Sequence, residues 1–274
     1  MRRALRSHWR EYLIEAAGLG FFMIAAGLYA TALEFPSSPL HRALPWPMAR
    51  RVLMGLLVGA TVVAIVYSPW GRRSGAHVNP AVTVTFWRLG KVEPYDAAFY
   101  IAAQFVGGAA GVLLLAALLG AAFVAPPVHA IATSPGSSGE GAAFATELGM
   151  AYALMLLVLT STNSKRLARR TGLLVGALVA CYIALLSPIS GMSLNPARSF
   201  ASALAARQLT WLWIYFTAPP LGMLLAAETY CRGWGRPVIC AKIDHPRDVP
   251  CPFRCGYRLS AGPESPPPAP PKQG

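Results

Sequence analysis

The triplet Asn-Pro-Ala occurs twice in this chain, in Ser74-Gly-Ala-His-Val-Asn-Pro-Ala-Val-Thr83 and in Ser193-Leu-Asn-Pro-Ala-Arg-Ser-Phe200, and this repetition indicates the architecture. Asn is a favoured helix N-cap, and Pro is a favoured first helical residue since its missing N–H would find no partner there. Each triplet therefore predicts the start of a short helix, over Asn79–Leu89 and Asn195–Ala205. At 1.5 Å per residue each helix would be about 16 Å long, roughly half the thickness of a bilayer's hydrocarbon layer.

Around these two short segments the chain is strongly apolar. Of its 274 residues 55% are hydrophobic and only 13% are charged, whereas a soluble domain has about 25% charged residues. The apolar residues come in blocks of about 20, the length that a membrane-spanning helix needs. The six blocks are Tyr12–Leu33, Val52–Tyr67 (with a helix start nearer Met48), Ala97–Ala122, Ala142–Thr160, Thr171–Ser187 and Trp211–Tyr230. The composition thus predicts one integral membrane domain and excludes a soluble helical protein. The first block is too long for a cleavable signal peptide and is expected to be retained.

The order of these segments predicts an internal repeat. Glu15 lies in the first block and Glu147 in the fourth, and each is followed by another block and then by an Asn-Pro-Ala turn. Since each unit has three spans, the second unit is inverted relative to the first, with its broken helices meeting at the midplane. Non-helical backbone at that depth is tolerated only where it is buried in protein or lines a water-filled cavity.

Charge placement predicts the orientation. The net charge is +13, but the basic residues lie between apolar blocks and at the ends of the chain, which disfavours a nucleic-acid-binding face. Counted along the predicted topology, 19 of the 24 Lys and Arg fall on one side, so both termini are predicted to be cytoplasmic. Three arginines in the first outer loop oppose this assignment mildly: Arg42, Arg50 and Arg51.

Three segments follow from this pattern. Residues 1–10 are predicted as a cytoplasmic N-terminal segment, and residues 11–232 as the channel domain, with one repeat over about 11–122 and the second over about 140–232. Residues 233–274 form a Cys- and Pro-rich cytoplasmic tail. Its polar composition and its Pro-rich end, Ser265–Pro271, predict that it is largely disordered.

The two quoted stretches resemble the signature loops of the aquaporin, or major intrinsic protein, family, with a bacterial-type channel as the expected kind. Glu15, Glu147 and Ala103-Gln-Phe-Val-Gly107 in the third span are similar to that family too, and the resemblance covers Glu11 to Arg232. It implies an all-α membrane fold of six transmembrane helices plus two re-entrant half-helices. It also implies a homotetramer, and the expected location is the plasma membrane (the bacterial inner membrane). Transport is expected to be passive, since no nucleotide site or ion-coupling residue is visible in the sequence.

The chemistry of the two turns can be derived from their residues. An Asn carbonyl oxygen can cap the helix while the NH₂ group donates into a cavity. Each half-helix N-terminus carries about half a positive charge, so two facing ends repel cations and protons. The predicted pore motif is Asn79, Pro80, Ala81, Asn195, Pro196 and Ala197. The backbone carbonyls just before each turn are expected to line the pore as acceptors: Gly75, Ala76, His77, Val78, Ser190, Gly191, Ser193 and Leu194.

Charged residues at membrane depth are expensive and are usually functional. The resemblance places Arg198 in a narrow selectivity filter, where it would donate to the solute and repel cations; the alternative is an arginine that snorkels at a helix end. For Glu15 and Glu147, with Gln104, we expect a structural role in which the carboxylates hold backbone N–H groups of the loops.

The family's spacing, counted back from the turns, implies that Gly59, Ile183 and Met192 complete the filter with Arg198. Strict water channels of this family usually have an aromatic residue in span two and a histidine in span five. Glycine and isoleucine predict a wider, more apolar filter, similar to that of members that pass glycerol, urea or uncharged metalloid acids. Met192 would refill part of that space.

Other residues favour a water channel instead. Ser199 follows Arg198 where glycerol channels of the family typically have Asp, and the pair Tyr215 and Phe216 is more similar to water channels. The residues therefore leave three hypotheses open: a channel for water and small neutral solutes, a dedicated solute facilitator with poor water flow, and a membrane scaffold without transport. Water, neutral solutes and lipid are the expected partners. No paired catalytic carboxylates, phosphate loop or nucleophile–base pair is apparent, so we expect no enzyme.

The tail cysteines offer a possible metal site. A set of three Cys and one His suits tetrahedral zinc, and the candidates are Cys240, His245, Cys251 and Cys255. Their spacing is loose and two prolines intervene, so free thiols are the alternative in a reducing compartment. No cofactor is expected apart from zinc in this tail.

Overall fold

The computed structural model describes residues 1–235, 238–246 and 248–257, and within them it contains helices and loops but no β-strand. The α-helices of these residues are α1 (Arg2–Glu34), α2 (Pro39–Ala43), α3 (Pro47–Tyr67), α4 (Pro69–Ser74), α5 (Pro80–Arg88), α6 (Pro94–Leu119), α7 (Ala121–Val124), α8 (Gly139–Thr162), α9 (Thr171–Ser190), α10 (Pro196–Ala206) and α11 (Leu212–Trp234). Each predicted apolar block and each predicted half-helix corresponds to one of these helices.

Five of the described helices are long and apolar enough to cross a membrane, namely α1, α3, α6, α8 and the segment that includes α9. Helix α11 has a matching length of 23 residues but is less apolar, since it contains two prolines, Glu228 and Arg232. It packs along α8 as the sixth long helix. The predicted all-α membrane fold with six long helices and two half-helices is confirmed.

The helix contacts follow the predicted repeat. Helix α1 packs along α6 in the first repeat, and α8 packs along α11 in the second. Helices α3 and α9, the middle helices of the two repeats, pack along each other. Each half-helix packs against a long helix of the other repeat, since α5 contacts α11 and α10 contacts α6. The two repeats are therefore interlocked through their half-helices.

Close helix packing depends on small residues, as is typical of membrane helices. A Cβ atom on Gly107 of α6 would collide with the backbone of Ala16 of α1. Glycine at this position lets α1 and α6 approach until their backbones touch. That approach brings Glu15, one residue away, next to the loop before α5.

The structure differs from the sequence prediction at both ends of the chain. Residues 2–10 of the segment that was predicted to be separate belong to α1, which has a kink at His8. In the tail, residues 238–246 and 248–257 were predicted to be disordered but lie against the channel domain, because Val238, Ile243 and Phe253 are buried there. We call the end of the bundle that carries these residues the tail face. Residues 258–274, with the Pro-rich end, lie outside the described residues.

Candidate pore and its asparagine turns

Both half-helices begin at a capping asparagine. Asn79 Oδ1 accepts a hydrogen bond from the N–H of Ala81 at 2.8 Å. Asn195 Oδ1 accepts from the N–H groups of Ala197 and Arg198, at 3.0 and 3.2 Å. Each side chain thus satisfies backbone donors that the first helical turn leaves without an intrahelical partner.

The amide nitrogens of the two asparagines link the turns to each other. Asn79 Nδ2 donates to the carbonyl of Leu194 at 2.8 Å, and Asn195 Nδ2 donates to the carbonyl of Val78 at 2.8 Å. The sequence predicted an NH₂ group free to donate into a cavity. Since an amide has two N–H bonds, one is used in the cross-link and the other remains for a molecule in the pore.

The backbone before each turn has unusual torsion angles at matching positions. Ala76 and Val78 have φ of 55° and 38°, and Met192 and Leu194 have φ of 48° and 59°. Side-chain-bearing residues in this left-handed region cost about 1–2 kcal/mol each. Strain of this kind persists only where the surroundings determine the conformation, so something must hold both loops.

Two buried glutamates hold them. Glu15 accepts hydrogen bonds from the Ser74 hydroxyl at 2.7 Å, from the N–H groups of His77 and Val78 at 3.2 and 2.6 Å, and from Gln104 Nε2 at 2.8 Å. It is fully buried and does not line the cavity described below. This geometry fits the structural role that the sequence predicted.

Glu147 repeats the arrangement in the second half of the chain. It accepts from the Ser190 hydroxyl and from the N–H groups of Ser193 and Leu194, each at 2.8 Å. Since hydrogen bonds to a charged group are about twice as strong as neutral ones, these contacts offset the backbone strain.

Two tyrosines complete the support, and sequence reasoning missed this role. The Tyr100 hydroxyl donates to the carbonyl of Ser74, and the Tyr215 hydroxyl donates to the carbonyl of Ser190, both at 2.7 Å. The signal was available, because each tyrosine lies in the third span of its repeat and each serine stands five residues before its asparagine.

A cavity of about 250 Å³ runs past the two asparagines. Glu34 and Arg51 line its end opposite the tail face, and His77 and Ile243 line its end at the tail face. Between these ends the walls are mainly apolar, with Val58, Val62, Leu154, Val158, Val175, Val179 and Ile183 among the lining residues. A passage with these walls has few groups that can replace the hydration shell of an ion.

The filter prediction needs one correction. Of the four predicted filter residues, Ile183, Met192 and Arg198 line the cavity, but Gly59 does not. A Cβ atom on Gly59 would lie 2.5 Å from the carbonyl oxygen of Gly176, so this glycine belongs to the crossing of α3 and α9. The preceding residue, Val58, lines the cavity instead.

Arg198 is a charged residue of the cavity wall, three positions after the asparagine of the second turn. Its Nη1 atom is buried and has no hydrogen-bond partner among the described residues. A guanidinium donor without a protein partner, on a side chain that lines the cavity, is placed to donate to a molecule in the pore.

The carbonyl prediction also needs correction at two positions. Ala76, His77, Val78, Gly191, Ser193 and Leu194 line the cavity, whereas Gly75 and Ser190 do not. The carbonyl of Ser190 accepts from Tyr215, and that of Gly75 accepts from the N–H of Ile243 at 3.2 Å. Both carbonyls point to structural partners because the left-handed turn at the next residue redirects the chain.

The tail cysteines and histidine meet in space. One ligand atom from each of Cys240, His245, Cys251 and Cys255 lies within 4.8 Å of the others. The Sγ atoms of Cys240 and Cys251 are 3.5 Å apart, and Cys255 Sγ lies 3.2 Å from His245 Nε2.

Comparisons with known proteins agree with this geometry. The sequence profile of the family described as "Major intrinsic protein" matches residues 3–230. A maize protein named Aquaporin NIP2-3 is 34% identical over 175 residues, which are 64% of this chain and 56% of the maize protein. A rice protein named Aquaporin NIP1-3 is 36% identical over 63% of this chain and 58% of its own length. The chain thus spans less than two thirds of the length of these relatives.

Two further proteins extend the comparison. An Archaeoglobus fulgidus protein named "Probable aquaporin AqpM" is 36% identical over 64% of this chain and 71% of its own length. The X-ray structure of the aquaglyceroporin from Plasmodium falciparum superposes with a TM-score of 0.67, at 22% identity, over 83% of this chain and 97% of that one. The latter likeness concerns the fold alone.

Proposed function

The chain belongs to the major intrinsic protein family, whose members are membrane channels and not enzymes, and on that premise we propose that it passes water together with small uncharged solutes. The observation that carries the proposal is the pair of asparagine turns that meet beside one cavity. Each asparagine keeps one N–H for a passing molecule, and each stands at the positive end of a half-helix.

This arrangement favours neutral molecules. Two positive helix ends and the Arg198 guanidinium disfavour cations, and a water that accepts from both asparagines cannot also relay a proton through them. Anions gain from the positive ends but would have to leave their hydration shell between apolar walls, which is costly. Water and small neutral solutes are therefore the molecules that this passage admits.

The filter residues support solutes in addition to water. Val58 and Ile183 present apolar surface, while Arg198 presents an unpaired donor. A molecule such as glycerol, with carbon on one side and hydroxyl groups on the other, matches this pairing. The family relatives include proteins named as NIP-type aquaporins, and a structural neighbour is named as an aquaglyceroporin.

A dedicated solute facilitator with poor water flow is the second candidate. It is favoured by Met192, which has a long apolar side chain on the cavity wall. Together with the other apolar residues of the wall, this side chain leaves water few hydrogen-bond partners. The two candidates differ in the ratio of water flow to solute flow and can be separated by measuring both.

The test is rapid light scattering on vesicles that contain the purified chain. Because residues 238–246 and 248–257 cover one end of the cavity, the full chain is compared with the double variant Ile243→Ala, Phe253→Ala, which loosens that cover. We expect osmotic water flow and entry of glycerol, urea or boric acid above the level of empty vesicles. Solute entry with little water flow would favour the facilitator, and no flux in either form would overturn the proposal in favour of a scaffold.

We further propose a homotetramer in the plasma membrane, the inner membrane in a bacterium, with the tail face in the cytoplasm. The distribution of Lys and Arg supports the orientation, and tetramers are typical of the family. Native mass spectrometry of the detergent-solubilised protein tests the first point. A reporter fused to the C-terminus that is active only in the cytoplasm tests the second.

A further inference from the structure

Residues 238–246 and 248–257 form a cover over the tail-face mouth of the cavity, and we call them the plug. Ile243 reaches into the cavity itself and packs with Val66 and Ala76. Phe253 lies flat on His77, with ring centroids 5.2 Å apart and an angle of 2° between the planes. His77 also lines the cavity, so the plug contacts the wall of the passage directly.

Hydrogen bonds attach the plug around the mouth. His77 Nε2 donates to the carbonyl of Ala241 (2.9 Å), and the N–H of Ile243 donates to the carbonyl of Gly75 (3.2 Å). The N–H of Ile239 donates to Asn163 Oδ1 (2.9 Å), and the N–H of Arg254 donates to the carbonyl of Lys91 (3.0 Å). The partners come from both repeats, so the plug spans the opening.

Two ion pairs add to these contacts. Arg72 Nε lies 2.8 Å from Asp244 Oδ2, and Arg254 Nε lies 2.7 Å from Glu93 Oε1. Both arginines are substantially exposed, and such pairs contribute little. The ion pairs orient the plug but do not explain what keeps it folded.

The plug has little regular structure to hold its shape, since among its described residues only Tyr257 is helical and none lies in a strand. Its centre is the four-residue cluster Cys240, His245, Cys251 and Cys255, whose ligand atoms all lie within 4.8 Å of one another. Ligands of a tetrahedral zinc ion, with Zn–S near 2.3 Å and Zn–N near 2.0 Å, are about 3.5–3.8 Å apart. The Cys240–Cys251 distance of 3.5 Å and the Cys255–His245 distance of 3.2 Å are close to that range.

Charge around the cluster also suits a bound dication. Three thiolates and a neutral imidazole with one Zn²⁺ carry a net charge of −1. The buried Lys242 lies beside the cluster, and its ammonium group donates to the carbonyls of Arg72 and Pro250, at 2.8 and 2.6 Å.

We propose that Cys240, His245, Cys251 and Cys255 bind one Zn²⁺ ion and that the bound ion holds the plug over the tail-face mouth of the pore. In small segments without a core of their own, the free energy of metal binding is free energy of folding. Loss of the ion would therefore release Ile243 from the cavity and Phe253 from His77. The effect on flux rests on the proposed function, whereas the metal site and its effect on the plug do not.

The first experiment measures metal binding by the full chain. The purified, reduced protein is freed of metal and titrated with Co²⁺, whose visible spectrum reports tetrahedral thiolate ligation, and Zn²⁺ is then added as a competitor. We expect one Co²⁺ per chain, displaced by Zn²⁺, and loss of the spectrum in Cys240→Ser and Cys255→Ser. The matched controls are Cys181→Ser and Cys231→Ser, which alter exposed cysteines of the channel helices. Weak octahedral binding, or binding that survives in Cys240→Ser, would overturn the site.

A disulfide between Cys240 and Cys251 is the competing explanation of their proximity. Thiol titration of the unfolded protein, isolated without reductant, separates the two. The zinc site predicts that all 5 cysteines of the chain react as free thiols. A protein that lacks metal and has two thiols fewer would contradict the proposal.

The second experiment measures by proteolysis whether the plug is in place, without a transport assay. Trypsin cleavage after Lys242 requires this buried residue to become accessible. We expect cleavage to be slow with Zn²⁺ and fast after a chelator, and fast in Cys240→Ser under both conditions. Equal cleavage rates with and without Zn²⁺ would show that the ion does not hold the plug.

The third experiment measures water and solute flux in vesicles that contain the same variants, with and without Zn²⁺. Chelation is expected to raise flow through the wild-type chain about tenfold, which corresponds to about 1.4 kcal/mol of lost plug stabilisation. The controls Cys181→Ser and Cys231→Ser should behave like the wild type. If zinc protects Lys242 but no sample conducts, the proposed function fails and the metal site stands. If the chain conducts equally with and without Zn²⁺, the plug is not a gate.

Discussion

Asn79 donates a hydrogen bond of 2.8 Å to the carbonyl of Leu194, the residue that precedes the asparagine of the opposite turn. Asn195 returns the same bond to Val78. Each asparagine therefore caps its own half-helix through its oxygen and holds the opposite loop through its nitrogen. The turns cannot be understood as two independent caps, because each requires the other to be in place.

This relationship predicts the behaviour of Asn195→Asp. The carboxylate can still cap α10 but cannot donate to the Val78 carbonyl, and it adds a negative charge at the midplane. We expect lower water flow and weaker exclusion of protons, measured with a pH-sensitive dye inside vesicles under a potassium diffusion potential. The control is Gln208→Glu, an equivalent change of charge in the loop after α10. Proton exclusion as tight as in the wild type would show that the amide donor is not needed for it.

Arg198 gives a second prediction. Replacing it by valine removes a buried guanidinium donor, Nη1, that has no protein partner among the described residues. We expect cation and proton leakage to rise and solute entry to lose its dependence on hydroxyl groups, when a series of polyols is compared. Arg207→Asn, at the exposed C-terminal end of the same half-helix, is the control and should change neither property, since asparagine tolerates the left-handed conformation of this residue (φ 54°).

The neighbours Val58 and Gly59 give a third prediction. Val58→Phe adds bulk inside the cavity and should suppress glycerol entry more than water flow. Gly59→Ala places a methyl group against the carbonyl of Gly176 and should lower stability by about 1–3 kcal/mol through overpacking. Thermal unfolding and flux, measured on both variants, check the assignment. If Gly59→Ala kept full stability but reduced glycerol entry relative to water flow, Gly59 would be the filter position, as the sequence analysis predicted.

The glutamates predict a loss of stability rather than a change of selectivity. The Glu147 carboxylate accepts hydrogen bonds from the backbone N–H groups of Ser193 and Leu194. In Glu147→Gln the amide NH₂ group would face one of these donors, which would leave at least one buried donor unpaired. We expect a loss of about 1–3 kcal/mol, seen as a lower melting temperature in detergent. Glu228→Gln breaks only an exposed ion pair with Arg88, 2.7 Å long, and should change stability by less than about 1 kcal/mol.

The contrast between Val58 and Gly59 shows what sequence spacing can and cannot determine. The Asn-Pro-Ala triplets define the two half-helix starts because Asn and Pro act locally, through their own backbone and side chain. A position 20 residues earlier depends on the rotation of α3 about its axis, where one residue corresponds to about 100°. Counting along the chain therefore located the right helix turn and chose the wrong face.

The tail shows a different limit. Its composition predicted disorder, because few apolar residues are available to form a core. The structure places it on a surface that the channel domain supplies, with His77 and Gly75 as partners. Cys240 and Cys255 are 15 positions apart and are separated by prolines, so their proximity could not be read from spacing. Tyr100 and Tyr215 were missed for a related reason, since their hydroxyl groups bind loop carbonyls that only the folded repeat brings near.

The crossing of the half-helices has a consequence for biosynthesis. Helix α5 rests on α11, which is the last long helix among the residues that the structure describes. When a ribosome has delivered only the first three spans, α5 has neither this neighbour nor the asparagine of the opposite turn. We therefore expect that a half-made chain has no completed conduit and does not leak while translation continues.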